Sequence, residues 1–153
     1  MSLKDTKDGI IIRVTGPVVD VRFADNPPFI HEALEINIPW NKKLILAVAF
    51  STGDNEVKTL AMGPTDGLSR GLRVKRTNSP IKVPVGLPTL GRIFNVLGDA
   101  IDGKPFNTKH KDVSYEPIHR LAPALTEQET KSHILETGLK VIDLIAPFTK
   151  GGK

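Results

Sequence analysis

Between Gly9 and about Val85 the chain reads as a series of short strands, each stopped by turn residues, and this rhythm constrains the fold more than any other feature. Ile10–Val14 ends at Gly16-Pro17. Val18–Phe23 then alternates, with Val19, Val21 and Phe23 on one side and Asp20 and Arg22 on the other, which is the pattern of a strand with one face in a core. The Asn26-Pro27-Pro28 loop interrupts the series, because proline supplies no ladder donor and disfavours helix before it. Further strands are predicted over Ala33–Ile38, Leu44–Phe50, Glu56–Met62 and Leu72–Thr77, with Ile81–Val85 as a closing or exit strand. Ser51-Thr52-Gly53-Asp54-Asn55 forms a five-residue hairpin loop between the fourth and fifth of these. About six strands at this spacing predict a small closed barrel, a shape that removes exposed sheet edges.

The rhythm stops after Gly86. Pro84, Gly86, Pro88, Gly91, Gly98, Gly103 and Pro105 crowd one interval, so a domain boundary is expected near Val83–Gly86, giving residues 1–83 and 84–153. Leu90–Leu97 carries an apolar set compatible with a helical turn or two, and Asn107–Glu116 is polar enough for an exposed loop. Thr126 and Glu129 stand at capping-box spacing. In ILETGLKVIDLIAPFTKGGK, Ile134–Lys153, a Thr137-Gly138 start, an apolar run and a stop at Pro147 predict a short buried helix that delivers the chain to a following element. The expectation is therefore the front portion of a larger protein. The fold class expected is mainly β, a six-stranded N-terminal barrel followed by the truncated start of an α/β domain.

Composition excludes several classes. With 39% hydrophobic and 25% charged residues the chain is ordinary for a globular protein, so disorder is not expected. The absence of cysteine removes disulfides, thiolate metal sites and thiol nucleophiles. The N-terminal MSLKDTKD lacks the apolar segment of a secretory signal, and the longest wholly apolar run, Leu44–Phe50, is far shorter than the ~18 residues of a membrane span. Net charge is +4, and no acidic residue interrupts Gly67–Leu97, where Arg70, Arg73, Lys75, Arg76, Lys82 and Arg92 fall. Base stacking on a single strand needs aromatics among such cations, and only Phe94 lies in the interval, so a solvated or protein-facing surface is the preferred reading over nucleic acid.

No complete catalytic constellation is present, so the sequence assigns no catalytic, nucleotide-binding or metal residue. Gly98–Pro105 fits G-x-x-x-x-G-K but places Pro105 where the magnesium-ligating hydroxyl belongs, and Asp99 and Asp102 would repel phosphate, so it reads as a Gly-Asp turn. His31, His110, His119 and His133 form no metal-binding pair, and the serines occupy no nucleophile elbow. Gly63, Gly67 and Gly71 recur every four residues, but Pro64 and Asp66 argue for a loop.

Several long ordered blocks nevertheless match a known pattern: GIIIRVTGPVVDVRF from Gly9, LAMGPTDGLSRGLRV from Leu60, PIKVPVG from Pro80, TLGRIFNVLGDAIDG from Thr89, IHRLAP from Ile118, and the closing stretch from Ile134. Together they resemble the beta subunit of F-type ATP synthases over nearly the whole chain. Asp143–Phe148 and Gly151-Gly152-Lys153 look like beta rather than the similar, noncatalytic alpha. Ala47, where an acidic residue is common, Asn78-Ser79 in place of a frequent Thr-Gly, and Lys109-His110-Lys111 depart from the pattern, at what this reading takes as surface contacts of the barrel. The resemblance implies a crown barrel in a hexameric ring of alternating alpha and beta subunits around a central shaft, then the start of a P-loop nucleotide-binding domain whose phosphate loop follows Lys153. It also implies an ion-translocating ATPase when full length, Mg2+ and ATP or ADP as ligands of the whole subunit but not of this piece, and no nucleic acid partner. Membrane contact would be indirect, at the cytoplasmic face of a bacterial inner membrane or the equivalent organelle membrane. A sister rotary or export ATPase, or a stand-alone barrel serving interaction or nucleic-acid binding, are the alternatives.

Overall fold

The computed structural model describes residues 8–38, 42–127, 131 and 133–151. The N-terminal heptapeptide, Ser132, Glu129 of the capping-box pair and Gly152-Lys153 lie outside the described residues. The chain divides into two compact units, residues 1–120 and 121–153.

The first unit is built on β1 (Gly9–Thr15), β2 (Val18–Phe23), β3 (Glu32–Ile38), β4 (Lys42–Gly53), β5 (Glu56–Ala61) and β6 (Arg73–Pro80). These close into an antiparallel barrel in the order β1-β2-β5-β4-β3-β6, as the strand rhythm predicts. The alternation read in β2 is borne out: Val19, Val21 and Phe23 point into the core. They meet Ile11, Leu34, Ile36, Leu46, Val48, Val57 and Val74, so the interior is aliphatic and branched, a good fit to a pleated surface packed from all sides. The polar Thr59 is tolerated inside because its hydroxyl donates to the Val19 carbonyl at 2.7 Å.

Three local expectations are corrected. The hairpin loop is shorter than five residues: β4 runs on through Gly53, leaving Asp54 and Asn55 alone in the turn with φ of 48° and 59°. Positive φ at both central positions is the type I′ geometry whose twist suits paired strands, and Asp and Asn adopt it at low cost. Of the closing and exit readings of Ile81–Val85, the exit reading holds: β7 (Lys82–Val85) leaves the barrel. It pairs with β8 (Ser114–Pro117), so part of the stretch expected as a polar loop is a strand. Leu90–Leu97 is not a helix. A single 3-10 turn spans Leu87–Thr89, and Gly91 and Gly98, both at positive φ, frame an irregular loop.

Ala47, read as a surface position, is also corrected. It is 7% exposed and packs with Ala33 and Ile81 in a second, smaller core outside the barrel, to which Met62, Leu97 and Ile118 add partly buried surface. This satellite core is what seats the segment after β6 against the barrel wall.

In the second unit, residues 133–135 run antiparallel to 148–150, joined by the Ile134–Thr149 bridge and by Leu135 N–H to the Phe148 carbonyl at 2.7 Å. They enclose α1 (Lys140–Ile145), which starts later than Thr137. The Asp143 carboxylate accepts from the Thr137 hydroxyl at 2.6 Å, the Thr137 N–H at 3.1 Å and the Gly138 N–H at 3.0 Å, and these bonds hold it below the usual carboxylate range. The helix was expected to be buried, yet no residue of it is; Val141, Leu144 and Ile145 are among the most exposed apolar side chains. A unit this small has no apolar layer of its own to cover them. Among the described residues no helix is long and apolar enough to cross a membrane.

Candidate functional site

The apparent phosphate motif folds as a turn braced from within. Arg92 reaches across it: its Nε and Nη2 donate to the two Asp102 oxygens at 2.5 and 2.9 Å, Nη2 also to the Lys104 carbonyl at 2.7 Å and Nη1 to the Pro105 carbonyl at 3.2 Å. The guanidinium keeps the Asp102 carboxyl well below the carboxylate range, chiefly through those hydrogen bonds. Its carbon also lies 5.3 Å from the centre of the Phe106 ring, which meets Phe94 edge-on. A phosphate cradle needs several free N–H groups at a helix N-terminus. Here the Asp99 and Leu97 N–H groups are taken by the Asn95 side chain, the Lys104 N–H points to Asp102, and the next element is the strand β8. These residues do not fit Mg-ATP.

The basic run is thinner in three dimensions than in sequence. Arg76 is spent on Glu32, a fully buried carboxylate at the start of β3: Nε and Nη2 donate to its oxygens at 2.9 and 2.7 Å. The Phe29 and Asn78 N–H groups complete the shell at 3.2 and 3.1 Å, and Arg76 Nη1 bonds the Asn26 carbonyl at 2.7 Å. The pair thus ties the proline loop to β6. Asn78 takes its place in this shell with φ of 54°, a conformation asparagine tolerates. Lys75 stands opposite Glu35 in the β3–β6 ladder, and Arg92 is bound to Asp102. Phe94, the one aromatic of the run, packs on Phe106.

The histidines are distributed as follows. His31, at φ 71° in the loop before β3, stacks on His119, which follows β8, with ring centroids 3.8 Å apart and planes at 21°. His110 Nδ1 accepts the Asp112 N–H at 3.2 Å, and the His133 carbonyl accepts from Lys150. Among the described residues no three potential metal ligands gather. The Glu32–Arg76 shell and the Asp143 cap were missed in sequence, since each joins residues through a fold not yet known.

A closed, six-stranded antiparallel barrel with a buried ion pair at one end and a β-ribbon leaving it defines the architectural class. Residues 11–78, from β1 into β6, match the family model for the beta-barrel domain of the ATP synthase alpha/beta family. The match covers the barrel and somewhat less than half of the chain, and it supports that family for the barrel.

Proposed function

We propose that this chain is part of the catalytic beta subunit of an ion-translocating F-type ATP synthase, and that its barrel supplies ring assembly rather than chemistry. The observation that carries the reading is the closed barrel whose residues 11–78 match the ATP synthase alpha/beta family. The sequence blocks after the barrel support beta within that family. In this reading the barrel sits in a crown of alternating alpha and beta subunits, and the segment from β7 to α1 is the approach to a nucleotide domain whose phosphate loop follows Gly151-Gly152-Lys153. Magnesium and ATP or ADP belong to that domain, where catalysis of phosphoryl transfer rests on positioning and charge stabilisation. The assembly would lie at the cytoplasmic face of a bacterial inner membrane or its organelle equivalent.

The test has two arms. Mixed with a separately purified alpha subunit, the chain is expected to form hetero-oligomers visible by native mass spectrometry, and failure to associate would remove the ring reading. Calorimetry with Mg-ATP is expected to show no binding by the chain alone. Micromolar affinity lost on Lys104→Ala would restore Gly98–Pro105 as a nucleotide loop.

A further inference from the structure

Beside β1 and β2, next to the loop that carries Arg70, lie two adjoining hollows that share Ile12, Arg22 and Arg70. One, about 290 Å³, is mostly apolar, walled by Ile10, Ile11 and Phe23 with Asp8 at its margin; the other, about 490 Å³, is lined by charged residues, four of them cations. We propose that this double groove is a docking site for an extended, acidic segment of a partner protein that carries apolar side chains between its carboxylates.

Charge placement gives the sign of the occupant. Cross-strand rows run Arg13–Asp20–Lys58 and Arg22–Glu56. The acidic members lie low, with side chains 13% and 27% exposed, while Arg13, Arg22 and Lys58 stand at 73%, 60% and 37%. Arg70 adds a fourth cation on the rim, and no ion pair holds it among the described residues. An incoming chain therefore meets cations first, and carboxylates complement them. The apolar hollow beside them gives buried surface to an alternating segment and none to a simple polyanion. Extension is favoured by the continuity of the two hollows, which run from Ile10 and Phe23 to Thr52 and Lys58 through the shared Ile12, Arg22 and Arg70. A strand laid there would alternate its side chains between protein and solvent.

The experiment is titration of a fluorescein-labelled octapeptide alternating glutamate and leucine with the full chain, followed by fluorescence anisotropy at low salt. Binding is expected, weakened roughly tenfold or more by the Arg13→Glu/Arg70→Glu pair, and unchanged by Lys109→Glu/Lys111→Glu, which alters net charge equally on the exposed 107–113 loop. Circular dichroism checks that each variant folds, and Arg70→Glu alone decides if the pair does not. No peptide binding, or an equal loss in the lysine variant, overturns the groove. So does tighter binding, through the same arginines, of phosphatidylserine vesicles or duplex DNA.

Discussion

Arg76 and Glu32 show how much one buried pair can organise. Glu32 is wholly removed from water and accepts from four donors, so its charge is balanced in place. Arg76→Met removes two of those donors and leaves a carboxylate in the barrel wall. The expected cost is about 3–5 kcal/mol in urea denaturation, with part regained in Glu32→Leu/Arg76→Met, where no orphan charge remains. A loss under ~1 kcal/mol would mean the pair acts as an exposed one. None of this was legible in the sequence. The strand was read from Ala33, one residue late, so Glu32 fell in a loop, and Arg76 looked like one more cation of a basic run. A carboxylate and its arginine forty-four positions apart become partners only through the register of β3 against β6.

At the scale of elements, alternation carried the reading of the barrel. β2 presents apolar residues at every second position, and β5 does the same with Val57 and Ala61 on either side of the buried Thr59. The failures fall where apolar spacing was the only guide and backbone conformation decided otherwise. Leu90–Leu97 has helix-compatible apolar residues, but Gly91 and Gly98 adopt φ of 70° and 85°, and Asn95 accepts the N–H groups a helix would use internally. Gly98 also sits so close to Pro84 that a Cβ there would lie 2.7 Å from its Cδ. At the other end, Gly9 has an ordinary strand conformation, yet a Cβ would come within 2.6 Å of Val21 and 2.7 Å of the Phe23 ring. Gly9→Ala is therefore expected to destabilise by about 1–3 kcal/mol through overpacking, read as a lower thermal midpoint of the barrel. An unchanged midpoint would show that β1 can shift outward along its two-pair seam with β6.

For the whole molecule, burial is unevenly divided. Every buried residue among those described belongs to the unit ending at Arg120, and the unit from Leu121 onward has none. Backbone with few buried contacts opens at little cost. Limited trypsin digestion should therefore cut at Arg120, Lys131 or Lys140 before any site inside β1–β6, and mass spectrometry of the first products checks the order. Early cleavage at Arg22 or Lys58 would contradict it. The sequence placed its boundary near Val83–Gly86, where the strand rhythm ends. The last barrel strand ends at Pro80, and the β7–β8 ribbon and the satellite core under Ile81 keep residues up to Arg120 in the first compact unit. Such a seam is invisible to composition, because the small side chains of Ala33 and Ala47 make room for Ile81 only once the sheet has curved. The stacked imidazoles of His31 and His119 span the same seam, one ring from the barrel loop and one from beyond β8. Each ring lies in the other's aromatic shielding field, so their carbon-bound protons form a built-in magnetic reporter: the resonances should return to ordinary positions as soon as the ribbon lifts from the barrel, well before the strands themselves come apart.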